Sequence, residues 1–176
     1  NTYLKWGEMW ERMFKTPLFT LDVPGTREHG TQTWQGDEQF EKERKYVLVQ
    51  IQELIKTCEE VTGRSFDVEK LREAMAYSNR MSAAWKKIIQ LNHSRPAVFN
   101  AISDGTAYLG VNNVWRGTLE GAEYFERLLE EKQWMHDNGI GTMENEEHRL
   151  AFIGVPCYPI FREFSELFTN WGGTFV

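Results

Sequence analysis

The chain has 176 residues, 41% hydrophobic and 26% charged, enough for one globular domain with a real core, and its 14% aromatic content, seven Trp included, makes ring-rich packing the expectation. A net charge of −6 with scattered Lys and Arg argues against a nucleic-acid groove, which needs a basic face to release counterions. No run approaches the roughly 20 apolar residues of a membrane span, and the start lacks the basic-then-apolar pattern of a signal peptide.

In "NTYLKWGEMWERMFKTP", Leu4, Trp6, Met9, Trp10, Met13 and Phe14 fall near helical spacing and predict a short helix that ends before Pro17. "LFTLDVP" reads as a brief extended segment. Gly25 to Gly36 is polar and rich in turn formers, hence an exposed loop. A long helix is predicted from about Asp37 to Val61, with Val47, Ile51, Leu54, Ile55, Cys58 and Val61 on one apolar stripe and Gly63 as its stop. The next helix has Asp67 as N-cap and Phe66 with Leu71 at staple spacing. It runs through Met75, Ser78, Met81, Trp85 and Ile88 to about Asn92, and Pro96 prevents a simple continuation. A short link between these two helices predicts an antiparallel hairpin.

"AVFNAISDGTAYLGVNNVW" reads as an interrupted or closely packed helix. "TLEGAEYFERLLEEKQWMHDNG" is helical, with Asn138-Gly139 as the stop, and "GTMENEEH" is a solvated polar link. "RLAFIGV" then predicts a buried parallel strand. "PIFREFSELFTNWGG" predicts a helix with Ile160, Phe161, Phe164, Leu167, Phe168 and Trp171 on one face, and "TFV" begins another strand. Strand, loop, helix and strand make the unit of a doubly wound α/β sheet. The organisation expected is a mainly helical region over 1–147, then the start of a flavodoxin-like lobe over 148–176. The apolar "GGTFV" end reads as a cut through a larger protein.

Two cysteines, Cys58 and Cys157, lie far apart, so a reducing cytoplasm is expected rather than a disulfide framework. In open parallel sheets, ligands bind beyond the carboxyl ends of the strands, which is where "VPCYP" falls. Near a helix N-terminus Cys157 gains thiolate character, suited to a metal or to nucleophilic chemistry. The competing reading is a small buried residue under a turn. Cys58, on its helix stripe, reads as a packed residue. His29, His93, His136 and His148 show no metal-ligand spacing, and there is no P-loop, G-x-S-x-G or G-x-G-x-x-G. Tyr108, Asn112, Asn113 and Trp115 would line a pocket, or else serve tight helix packing.

The extended "LDVP", the helical "EEVTGRSFDVEKLREAMAYSNRM" and the re-entrant "RLAFIGVPCYPIFREFSELFTNWGGTFV" together resemble the middle of a D-component subunit of the 2-hydroxyglutaryl-CoA dehydratase and benzoyl-CoA reductase family. "VTGRSFD" and "GVPC" carry most of the resemblance. It implies an oxygen-sensitive enzyme acting on coenzyme A thioesters, with a related second subunit, an iron–sulfur cluster and an electron from a separate ATP-hydrolysing activator. Dehydratases of this kind form a ketyl radical anion that acidifies the β-proton; reductases reduce an aromatic thioester ring. The implied fold is two flavodoxin-like lobes with a helical part between them.

A [4Fe–4S] cluster takes several thiolates, and this chain offers only Cys157 near a plausible site, as ligand or neighbour. The expectation is therefore a cluster in the full-length protein, none held by this stretch alone, and Tyr108, Asn112 and Trp115 toward the substrate. A non-catalytic helical assembly module on the same scaffold is the alternative.

Overall fold

The computed structural model describes residues 2–24, 38–153 and 158–176. The predicted loop over 25–36, with His29, and the Cys157 turn lie outside the described residues. The chain divides into two compact units, Asn1–Asp67 and Val68–Val176.

The first unit contains two helices, α1 (Thr2–Phe14) and α2 (Glu38–Thr62). The segment after α1 has no regular structure, as "LDVP" led us to expect, but it is tied down. Gln50 donates to the Asp22 carbonyl at 2.9 Å and accepts from the Asp22 N–H at 2.7 Å, while the Tyr46 hydroxyl donates to the Asp22 carboxylate at 3.0 Å. Tyr46 and Gln50 are one helical turn apart, so a single face of α2 grips the extended chain. α2 stops where Gly63 takes φ +64° and its N–H reaches the Glu59 carbonyl at 2.8 Å.

Two expectations fail here. No residue of α2 is buried, and Cys58 is exposed rather than packed. Trp6, Met9, Trp10, Met13 and Phe14 of α1 are exposed too, Trp10 by 61%. Helical periodicity reports that a helix has an apolar face; what covers the face is a separate matter.

The second unit is built on α3 (Val68–Leu91) and α5 (Leu119–Asp137), with α4 (Gly105–Val114) against them. α3 buries Met81, Ala84 and Ile88, and α5 buries Gly121, Ala122 and Phe125. Met81, Ala84 and Ile88 recur at three- and four-residue intervals, and Phe125 follows the Gly121–Ala122 pair by one turn, so each helix has one buried stripe. The Trp85 ring stacks on Tyr108 of α4 at 4.0 Å between centroids and meets Phe99 and Phe125 edge-on. Such offset and T-shaped contacts add roughly 0.5–1.5 kcal/mol per pair beyond burial. Leu71 and Met75, predicted on the α3 stripe, are exposed, so only the second half of α3 enters this core.

Thr118 caps α5 by accepting from the Gly121 N–H at 3.1 Å. A Cβ on Gly121 would stand 2.3 Å from the Trp115 carbonyl oxygen, so glycine is what lets α4 and α5 close on each other there.

The chain ends in a parallel pair, β1 (His148–Leu150) and β2 (Gly173–Phe175), with Arg149 opposite Thr174. Between them lie a 3-10 turn (Tyr158–Ile160) and α6 (Phe161–Thr169). The predicted strand–loop–helix–strand order and parallel pairing are therefore present. The whole is helix-rich with a small two-stranded parallel sheet. The predicted buried strand over "RLAFIGV" is shorter and more open: it stops at Leu150, and Ile153 is 97% exposed. On α6 the working face is also narrower than predicted. Phe164 and Phe168 pack against the buried Phe175, while Ile160, Leu167 and Trp171 face outward. Among the described residues no helix is long and apolar enough to cross a membrane.

Residues 97–100, just after α3, are almost fully buried yet irregular. Buried backbone must find partners. Asn92 supplies three: its Oδ1 accepts from the Val98 and Phe99 N–H groups at 3.0 Å each, and its Nδ2 donates to the Phe99 carbonyl at 2.6 Å. The Ala97 carbonyl accepts from Thr142, and the Ala101 N–H donates to Phe175 at the end of β2. Asn92→Ala would strand three buried backbone groups and is expected to lower the unfolding free energy by roughly 3 kcal/mol. Chemical denaturation of variant against wild type measures the loss.

Candidate functional site

Asn100, at the end of the irregular segment, and Ser103 form one wall of a cleft of mixed polar and apolar lining, and α6 forms the other. The cleft has a volume of about 450 Å³ and is lined by Asn100, Thr142, Arg162, Ser165, Glu166 and Thr169, among others. That size is within the roughly 300–1,000 Å³ of small-ligand sites.

The first wall is held from beneath. Arg149, in β1, donates through Nε to Glu146 at 2.5 Å and through its terminal nitrogens to the carbonyls of Asn92 and Ser94. Glu146 also accepts from the Ala97 N–H at 2.5 Å and has Arg95 at 3.6 Å. Its side chain is only 4% exposed. The reading of "GTMENEEH" as a solvated link fails at this residue. Burial alone would push the Glu146 carboxyl up, but the hydrogen bonds from Arg149 and Ala97, with the charges of Arg149 and Arg95, outweigh it and hold the group below its ordinary value.

Asn100 is 3% exposed and uses one end of its side chain structurally: Oδ1 accepts from the Ile102 and Ser103 N–H groups at 3.0 and 3.3 Å. Its Nδ2 has no partner among the described residues. Ser165 is 5% exposed, and its hydroxyl likewise has no partner there, although its carbonyl accepts from Thr169 at 2.9 Å. Among the described residues no side-chain N or O is both sealed and unpaired. Both free groups are therefore open to solvent, and both belong to residues that line the cleft. Arg162 and Glu166 stand a turn apart on α6, and neither side chain has an ion-pair partner among the described residues.

Among the residues that the sequence pointed to, Tyr108, Asn112 and Trp115 follow one another along α4 and its C-terminal end, away from the lining of this cleft. The Tyr108 ring is engaged with Trp85 and Phe125. Asn112 is 3.5 Å from Arg116, which also donates to Ser78, and the Trp115 ring is half exposed. His136 is paired with Asp137 at the end of α5. Asn100 and Ser165 were missed. Each is a common turn or helix-surface type, and only the fold reveals that a polar end is left free inside.

A [4Fe–4S] cluster takes four thiolates. The sequence holds two cysteines, of which Cys58 is exposed on α2 and Cys157 lies outside the described residues. Among the described residues no group of three His, Cys, Asp or Glu side chains comes together to hold a metal ion.

The family model described as 2-hydroxyglutaryl-CoA dehydratase, D-component, matches residues 1–176, and the chain belongs to that family. It is 32% identical to the alpha subunit of (R)-2-hydroxyglutaryl-CoA dehydratase from Acidaminococcus fermentans, over 90% of this chain and 32% of the relative. It is 30% identical to a benzoyl-CoA reductase subunit from Thauera aromatica, over 99% of this chain and 40% of the relative. It is also 30% identical to the (R)-2-hydroxyisocaproyl-CoA dehydratase alpha subunit of Clostridioides difficile, over 90% and 37%. The chain thus spans about a third to two fifths of the length of these curated relatives. No solved structure gives a significant match.

A carboxyl whose native value lies below its unfolded one stabilises the fold above the unfolded value, near 4.5, and that contribution is lost as pH falls through the lower native value. Glu146→Gln is therefore expected to be less stable than wild type at neutral pH, with the gap narrowing below about pH 4.5. Urea unfolding across pH 3–7 checks it.

Proposed function

We propose that the chain is part of a subunit of an acyl-CoA enzyme, one that dehydrates a 2-hydroxyacyl-CoA or reduces an aryl-CoA ring. The observation that carries this reading is the family match across all 176 residues, with relatives named for both reactions. The substrates in all three names are coenzyme A thioesters, and each name is that of one subunit among others. The reading accordingly includes a second, related subunit, a separate ATP-hydrolysing activator that delivers a low-potential electron, and a reducing, cytoplasmic setting. A flavodoxin-like lobe in the whole protein would continue the β1–α6–β2 unit.

An iron–sulfur cluster belongs to the same proposal. With two cysteines in residues 1–176, most of its ligands would come from elsewhere in the protein, and Cys157 is the residue of this chain proposed to lie at it. Tyr108, Asn112 and Trp115 are proposed as helical lining nearer the acyl group, with Tyr108 acting through the packing of α4 rather than by direct contact.

The test is turnover by the full-length protein, purified without oxygen with its second subunit and activator. Consumption of 2-hydroxyglutaryl-CoA or benzoyl-CoA that depends on ATP is expected, together with bound iron and sulfide that Cys157→Ser reduces. Iron unchanged in that variant would leave Cys157 a structural residue. No turnover of either thioester and no iron in wild type would overturn the enzyme reading and favour the helical assembly module.

A further inference from the structure

We propose that the cleft between Asn100, Ser103 and α6 binds the secondary-amide arm of the coenzyme A thioester, the pantetheine portion, rather than its phosphates or its acyl group. This rests on the acyl-CoA reading above and names the part of the substrate that the cleft takes.

The lining decides the chemistry. An amide chain presents carbonyl acceptors and N–H donors in alternation. The cleft offers both: the free Asn100 Nδ2 is a donor only, the Ser165 hydroxyl can do either, and the Glu166 carboxylate is an acceptor only, while the Thr142 hydroxyl is shared with Thr174 at 3.4 Å. Arg162 and Glu166 bring one charge of each sign, so the formal charge of the lining is zero. A phosphate group would meet the Glu166 carboxylate as a like charge, which disfavours it at close range. Phe161 adds an apolar wall suited to the methylene groups between the amides, beside the polar Asn100 and Ser165.

Two of these side chains, Asn100 and Ser165, are more than nine-tenths buried yet keep a polar group unpaired toward the cleft. Both polar ends are open rather than sealed, so a ligand amide that bonds them takes the place of water, and a variant that removes either end leaves the matching amide group without its partner. Asn100 is positioned to make such a bond without rearrangement. Its Oδ1 is fixed by two backbone N–H groups, which aims Nδ2 away from the turn. The opposite wall is the face of α6 on which Ser165 and Thr169 follow one another at helical spacing.

The experiment uses the full-length subunit with its partner and three probes: 2-hydroxyglutaryl-CoA, pantetheine, and adenosine 3′,5′-bisphosphate for the nucleotide half. Asn100→Asp keeps the Oδ1 acceptor and replaces the free donor by an oxygen. Ser165→Ala removes the free hydroxyl and leaves the backbone bond to Thr169. Each is expected to weaken binding of the thioester and of pantetheine about tenfold and to leave the bisphosphate unchanged. Wild-type affinity for pantetheine in Ser165→Ala, which removes the fewest atoms, would overturn the proposal even if Asn100→Asp failed to fold. So would weakened binding confined to the bisphosphate, which would make the cleft a phosphate site. Failure to detect pantetheine on a wild-type protein that binds the thioester overturns the cleft assignment alone. Failure of both 2-hydroxyglutaryl-CoA and benzoyl-CoA to bind wild type overturns the acyl-CoA reading, and this proposal with it.

Discussion

One ion pair, buried at its carboxylate, organises the second unit. Arg149 and Glu146 are three residues apart, and together they reach the end of α3, the irregular segment after it and the first strand. A guanidinium presents five donors in a planar fork, so it can hold two carbonyls and a carboxylate at once. Removing one partner of such a pair leaves an uncompensated charge in a poorly solvated place, which is costly even where the intact pair adds little. The pair therefore acts chiefly as a constraint: residues 92–97 and 146–149 must occupy their places together.

The cleft follows from that constraint. With Ala97 and the Asn92 turn held, the chain continues through 98–100 in a buried but irregular path, and Asn100 arrives at the surface of α6. The Asp104 carboxylate accepts from the Asn100 N–H at 3.0 Å and lies 3.7 Å from the buried Lys132 of α5, which links the same wall to the helical core. On the other side, Phe164 and Phe168 press α6 against β2, and Ser165 is left facing the wall. Aromatic packing thus places α6, and polar pairing places the segment opposite. Neither alone makes a site.

Much of the helical layout was legible in the sequence because it depends on local signals. Thr118 at the start of α5 and Gly63 after α2 do what their types do at helix ends. The parallel pairing of β1 and β2 was legible from the order of strand, loop, helix and strand. Burial was less so. The stripes of α1, of α2 and of the first half of α3 are periodic too, yet none of their residues is buried, because periodicity does not name the surface that a stripe meets. The site was least legible. Glu146 lies among Glu144, Asn145 and Glu147 in an acidic stretch that looks solvated, and its burial depends on Arg149 three residues on and on Arg95 and Ala97 brought in from a distant part of the chain. The free ends of Asn100 and Ser165 are likewise consequences of long-range geometry, whereas the family motifs pointed to Cys157.

The most direct test of this account is amide hydrogen exchange at Ala97, Val98 and Phe99 in wild type and in Arg149→Met. Exchange reads local opening residue by residue. If the ion pair is the constraint on which the cleft wall depends, protection at these three amides collapses in the variant while the α5 amides of Ala122 and Phe125 keep theirs. Unchanged protection at 97–99 would show that Asn92 and the surrounding core hold the wall without the ion pair, and would contradict the account.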